Sequence, residues 1–279
     1  MTATGNHADL LAVDIGNSLV KFGWFPGGGE CETAASGGPL AIAPPVVRPP
    51  EAVLAVPHSA ASFESSVQVW LTGLPGLPRA ETLVASVYPE AASRVETLLA
   101  PLLGTPPQTL DGQEIGIPIE VDHPPSVGID RLLCAAVAAR LKRPQRAAIA
   151  ATVGTAITVN LVSAEGAFLG GAILPGLRIA AESLHRGAAA LPLIETDIAE
   201  SPPEPLGRDT RQAIESGMYW GSVGGLRELV AKLGEGLPGP PEVFVTGGDG
   251  AGLARCLPAA RFVPHMVLSG VYHAWANDR

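Results

Sequence analysis

Three short polar turns in this chain follow apolar runs: Asp14-Ile15-Gly16-Asn17-Ser18, Gly154-Thr155 and Thr246-Gly247-Gly248. Glycine lets backbone N–H groups close on an anion, and hydroxyl and amide side chains add donors, so each turn is a candidate phosphate cradle. Asp14 adds a carboxylate that could hold Mg²⁺ through water, because that ion prefers oxygen ligands and keeps part of its hydration shell. Lys21 stands in the following β-rich run, where its ammonium could reach a phosphate. Any one of these turns alone is equally a plain hairpin turn; their number and repetition point to phosphate. Other solutions are missing: there is no GxxxxGK[ST], no HExxH, no GxSxG and no GxGxxG opening a first helix. The histidines lack metal-ligand spacing, and Cys31, Cys134 and Cys256 form no CxxC pair, so they read as packing residues.

The elements that must position these turns follow from local pattern. Leu10–Val13 is an apolar run ending at Asp14, Leu19–Phe25 is strand-like, and Gly27–Gly29 reads as a turn. Ala147–Ala151 leads through Thr152 and the Gly154-Thr155 turn into the strand-like Ala156–Val162, then a turn at Ser163–Gly166 and a further run over Ala167–Leu174. Setting Asp14 against Thr152, Gly16 against Gly154 and Asn17 against Thr155 aligns the two without a gap, which implies a duplicated strand, polar turn, strand unit. Glu81–Ser86 and Val243–Val245 are further strands. Glu90–Leu103, Arg131–Leu141, Thr210–Tyr219 and Gly221–Leu233 are helices. Such alternation predicts an α/β class. A linking strand and turn over Ile117–Pro125 sets the expected boundary, with one domain over 1–120 and a second over 121–279. The Pro- and Gly-rich stretches Pro44–Pro50, Pro202–Pro205 and Gly234–Pro241 read as connectors.

Composition narrows the classes. Of 279 residues, 47% are hydrophobic and 16% charged, and the mean hydropathy is +0.27, enough apolar material for sizeable cores and against disorder. No run of about 18 apolar residues suggests a membrane span. The opening residues lack a basic stretch before a long apolar one, so cytoplasmic residence is expected. A formal charge of −9 without a basic stripe argues against a nucleic-acid partner. Trp24, Trp70, Trp220 and Trp275 are too dispersed for a base-stacking platform.

The string VDIGNSLVKFG at Val13–Gly23 resembles the first phosphate motif of the acetate kinase, sugar kinase, Hsp70 and actin superfamily, and more narrowly that of type III pantothenate kinases. The narrower likeness is carried by VGIDR at Val127–Arg131, VGTAITVNLV at Val153–Val162, FLGGAILPGL at Phe168–Leu177, GAAALP at Gly187–Pro192, GRDT at Gly207–Thr210, SGMYWG at Ser216–Gly221 and VTGG at Val245–Gly248, in family order. The resemblance implies two ribonuclease H-like, actin-like ATPase domains with ATP and pantothenate in an interdomain cleft, and a homodimer. It implies phosphorylation of pantothenate to 4′-phosphopantothenate, the first step of coenzyme A synthesis, with ATP, Mg²⁺ and a monovalent cation, K⁺ or NH₄⁺. By position, Asp14, Ile15, Gly16, Asn17, Ser18, Leu19, Val20 and Lys21 would line the ATP phosphates and Thr155 would contact ATP. Val121, Gly128, Ile129, Asp130, Arg131 and Thr210 would bind pantothenate, with Asp130 accepting the hydroxyl proton.

General chemistry supports these roles. Phosphoryl transfer to an alcohol depends on positioning and charge neutralisation, with one carboxylate taking the hydroxyl proton. Asp130 stands just before the expected helix, whose dipole favours its ionised form, and beside Arg131, whose guanidinium can pair with the pantothenate carboxylate. Equally, Asp130 could simply cap that helix. The chain departs from the family at Thr152, where an aspartate normally binds the monovalent cation, and at Val121, where a tyrosine is common. A neutral ligand at Thr152 forfeits charge attraction and should weaken the cation. Three readings therefore stand: a pantothenate kinase, a weakened homologue with an accessory or regulatory role, and a superfamily kinase for another small alcohol.

Overall fold

The computed structural model describes residues 8–27, 47–194 and 201–277; Gly28, Gly29, Cys31 and Pro44 to Val46 lie outside the described residues. In chain order the main elements are β1 (Leu10–Ile15), β2 (Leu19–Phe25), β3 (Ala52–Pro57), α1 (Phe63–Thr72), β4 (Glu81–Ser86), α2 (Pro89–Leu99), β5 (Gln108–Thr109) and α3 (Ile129–Leu141). They continue with β6 (Ala148–Val153), β7 (Ala156–Val162), β8 (Phe168–Pro175), α4 (Leu177–Gly187), α5 (Thr210–Gly234), β9 (Glu242–Thr246), α6 (Gly250–Ala254), β10 (Arg261–Phe262) and α7 (Met266–Asn277).

Two compact α/β units result, each built on a five-stranded sheet. The first sheet runs β3-β2-β1-β4-β5, with β1–β2 and β2–β3 antiparallel and β1–β4 and β4–β5 parallel. Read from its other edge, the second runs β8-β7-β6-β9-β10 with the same sequence of antiparallel and parallel pairings. This is the ribonuclease H-like order, present twice, so the duplication expected from the turns extends to whole sheets. The central strands β1 and β6 are almost wholly buried, which suits runs as apolar as LLAVDI and AIAATV flanked by neighbours on both edges. Edge strand β8 instead alternates between more and less covered positions.

The first unit comprises Met1–Ile117, His123–Leu141 and His265–Arg279; the second comprises Pro118–Asp122 and Lys142–Pro264. A single boundary near 120 therefore does not describe the packing. The continuous buried stretch Leu132–Ala138 of α3 lies against α7, and α7 packs on β1 and β4, so both helices belong with the first sheet although the second unit separates them in the chain. Hydrophobic burial, rather than chain order, decides membership.

Local expectations differ from the structure at several points. Asp14 lies within β1 rather than after it. α3 starts at Ile129 rather than Arg131, which puts Asp130 in its first turn instead of before it. α2 stops at Leu99, ahead of Pro101, which cannot continue a helix. The two expected helices around Trp220 are one, α5, because Gly217 and Gly221 face open space and interrupt nothing. Gly234–Pro241 does connect α5 to β9. Among the described residues no helix is long and apolar enough to cross a membrane.

Candidate active site

In the first unit the β1–β2 register sets Asp14 directly opposite Lys21, so the two side chains share one face of the sheet. Lys21 Nζ lies 3.4 Å from Asp14 Oδ2. Past the last pair, Ile15↔Val20, the chain turns through 16–19, closed by the Gly16 N–H donating to the Leu19 carbonyl at 3.0 Å. The Val87 N–H donates to the Ile15 carbonyl at 3.0 Å and ties the strand end to the segment after β4. Ile15 and Val20 are buried anchors, whereas Asn17 at the tip is exposed. Of the eight residues expected to meet phosphates, the strand positions hold the turn and Asp14, Gly16, Asn17, Ser18 and Lys21 form its polar part.

Asp14 is only 6% exposed. Burial pushes its carboxyl above the ordinary value; the Lys21 charge opposes this, and the Asp130 carboxylate adds to it. Burial likewise pushes Asp130 up, against a hydrogen bond from the Arg131 backbone N–H and the charges of Arg131 and Lys21. Asp14, Lys21, Asp130 and Arg131 thus form one electrostatic cluster within the first unit. The Asp130 carboxylate engages an N–H of the first helical turn and also lies in the field of Lys21. Gly128 belongs to this arrangement because a Cβ there would stand 2.6 Å from Asp130 Oδ1. Ile129 opens the helix, and the Arg131 N–H donates to the Gly128 carbonyl at 3.0 Å.

His265 is a further residue of this neighbourhood. It precedes α7 with a left-handed φ of 56°, and its partly covered imidazole is held below the usual value by desolvation and then by the Lys21 charge. No motif marks it, because only the tertiary return of α7 brings it to this neighbourhood.

The other expected residues lie in the second unit. Thr152 pairs with Thr158 on β7 and with Thr246 on β9, so three threonines cross the sheet in a row on one face. Thr158 and Thr246 are buried, and Asn160 Nδ2 donates to Thr158 Oγ1 at 3.2 Å. Four residues, 16–19, follow the last pair of the first hairpin, but only three, 154–156, separate Val153 from Ile157 in the second. The ungapped alignment therefore ends at the turn. Thr155 sits in this tighter turn, and its carbonyl accepts from the Gly176 N–H at 3.2 Å. A Cβ at Gly176 would be 2.0 Å from the Gly154 carbonyl oxygen, which explains the last of the three glycines of FLGGAILPGL by close backbone approach.

Val121 belongs to the short second-unit segment whose Glu120 N–H donates to the Phe168 carbonyl at 2.9 Å, and its side chain lies beside Gly170. Thr210 opens α5, behind Asp209, whose side chain accepts from the Gln212 N–H at 2.8 Å. It borders a largely apolar pocket of about 680 Å³ that includes Leu174, Leu184, Ile214 and Met218. The expected substrate set thus divides: Gly128, Ile129, Asp130 and Arg131 in the first unit, Val121 and Thr210 in the second. Among the described residues no group of three His, Cys, Asp or Glu side chains could by itself hold a metal ion.

Comparison with known proteins gives this arrangement a family. The model of the type III pantothenate kinase family matches residues 10–232. The type III pantothenate kinase of Phenylobacterium zucineum is 32% identical over 200 residues, covering 71% of this chain and 76% of the relative. That of Chlorobaculum parvum is 33% identical over 251 residues, covering 86% and 83%. A solved structure of a conserved Baf family protein from Campylobacter jejuni shares the fold at a TM-score of 0.57 and 15% identity, covering 96% of this chain and 98% of that one. With a match that runs from β1 into α5 and relatives alike over most of their length, this chain belongs to the type III pantothenate kinase family and is a kinase.

Proposed function

We propose that this kinase transfers the γ-phosphoryl group of ATP to the primary hydroxyl of pantothenate, forming 4′-phosphopantothenate and ADP and opening coenzyme A synthesis. The observation that carries this reading is the cluster of Asp14, Lys21 and Asp130: an ammonium for phosphate beside a carboxylate that favours its protonated form more than an ordinary one. In the step, the hydroxyl oxygen bonds to the γ-phosphorus, the bond to the ADP oxygen breaks, and the proton passes to Asp130. A general base works best when its pKa approaches the working pH, and the upward shift of Asp130 moves it that way. Lys21 and the backbone of the 16–19 turn neutralise and orient the phosphates, which is most of what a loose phosphoryl transition state requires.

Divalent metal fits this donor set in one way. The described residues offer no all-protein cage, but Mg²⁺ commonly binds through one or two carboxylates together with phosphates and water. Asp14, whose buried charge is opposed by the partly exposed Lys21, would hold it through water. When bound, the ion supplies charge neutralisation on the phosphates. In the first unit Arg131, with Gly128 and Ile129 beside it, is assigned to the pantothenate carboxylate; in the second, Val121 and Thr210 are assigned to pantothenate and Thr155 to ATP, each on the family resemblance. Thr152 offers a monovalent cation a hydroxyl and a carbonyl without charge, so K⁺ or NH₄⁺ is held weakly. On family grounds we take the working form to be a cytoplasmic homodimer.

The test is ADP release with ATP and pantothenate, with K⁺, with NH₄⁺ and with neither. Turnover with pantothenate supports the reading. No turnover under any cation ends it, and turnover only with another small alcohol reassigns the substrate.

A further inference from the structure

The polar turn at 16–19 is held from behind by a residue outside every motif. His58, just after edge strand β3, places Nε2 2.8 Å from the Asn17 carbonyl oxygen, and its backbone N–H donates to the Ser18 carbonyl at 3.4 Å. A carbonyl only accepts, so Nε2 carries the proton in this bond. His58 is itself fixed: its ring lies 5.2 Å from that of Tyr88 at 46°, and its carbonyl accepts from Arg94 Nη1 at 2.9 Å. Arg94 is anchored in turn by Nε and Nη2 on Glu64 Oε1, at 3.2 and 3.0 Å. His58, Tyr88 and Arg94 line a pocket of about 160 Å³ on the flank of the first unit, together with Phe63, Glu90 and Ala91.

We propose that His58 is a positioning residue for ATP, whose imidazole N–H sets the angle of the 17–18 peptide that meets the phosphates. This rests on the reading of the Asp14–Lys21 turn as the phosphate loop. The peptides of the described residues are trans, so the Asn17 carbonyl and the Ser18 N–H point in opposite directions from one plane. Fixing the carbonyl on His58 fixes the face that the peptide turns outward. Asn17 at the tip is exposed, and the turn-closing bond runs from the Gly16 N–H to the Leu19 carbonyl rather than to the 17–18 peptide. Losing the His58 bond should therefore loosen phosphate binding more than it disturbs the fold.

The experiment compares His58→Ala and His58→Gln with the wild type in steady-state kinetics, varying ATP and pantothenate separately. For His58→Ala we expect KM for ATP to rise about tenfold and KM for pantothenate to stay within about twofold, the scale of one lost hydrogen bond. His58→Gln returns an uncharged N–H donor and should recover most of the loss. Equal KM values for ATP in His58→Ala and wild type, parallel shifts for both substrates, or no recovery with Gln would each overturn the inference. If His58→Ala does not fold, His58→Met, which fills the space without a donor, takes its place. Should the wild type fail to phosphorylate pantothenate, direct titration with Mg·ATP decides separately: weaker binding by the variant keeps the role of His58, whereas equal binding, or none by the wild type, ends it.

Discussion

The two hairpins share strand order and pairing yet carry opposite chemistry at the same level of the sheet. The first sets a carboxylate against an ammonium, Asp14 and Lys21; the second sets two hydroxyls, Thr152 and Thr158, with a third at Thr246. The neutral row satisfies itself at little cost, as the bond from Asn160 to Thr158 illustrates. The charged one does not: Asp14 is buried, so desolvation raises its pKa despite the neighbouring lysine, and Asp130 adds like charge. A duplicated scaffold can thus confine the electrostatic burden of phosphoryl chemistry to one copy. Strained ionisation of this kind is typical of functional sites.

Three experiments test that contrast. On the charged side, Asp130→Asn should lower kcat by about 10²-fold or more if the carboxylate takes the hydroxyl proton. An unchanged kcat would leave Asp130 with only its bond to the first turn of α3. On the neutral side, Thr152→Asp gives the second hairpin the charge it lacks and should tighten the apparent constant for K⁺ by about tenfold, on the order of one charge attraction at a partly exposed site. Superimposable cation titrations of the two proteins would remove the threonine from the cation question.

The smallest effect concerns stability. Asp14 has a folded-state pKa above its reference of 3.8, so the folded state favours the protonated form. Its contribution is fully present below the unfolded pKa and is lost as pH rises through the folded value. Asp14→Asn removes that loss and should raise the melting temperature near neutral pH by about 2–4 °C, with the gain shrinking toward pH 4. Lys21 keeps 32% of its side chain exposed and can be solvated when its partner is gone. A variant that melts lower than the wild type at neutral pH would mean that the ion pair outweighs desolvation.

How much of this was legible in the sequence depended on the range of the interaction. β2, β4 and β7 run over the residues their local patterns indicate, since β-rich runs bounded by turn residues carry their own signal. Chemistry-bearing residues on those strands and turns were legible for the same reason. The length difference between the two turns was not, because pairing register is set by the opposite strand. Asp130 was misplaced relative to its helix, since the two residues before Arg131 bear no start signal as strong as the apolar run after it. β3, α1, α4, α6 and α7 have short or mixed patterns that acquire meaning only when packed. No local pattern marks His58 or His265, because what matters about them is a neighbour distant in the chain.

The return of α7 to the first unit has a consequence for synthesis. Trp275 Nε1 donates to Glu81 Oε2 at 3.0 Å, and Met266, Leu268 and Val271 are buried. The ribosome must therefore deliver the whole second unit before the unit bearing Asp14 and Asp130 receives its last core helix. A chain halted before residue 266 would hold every motif and still expose the apolar surface that α7 covers, a species for chaperones or proteases rather than a partial enzyme.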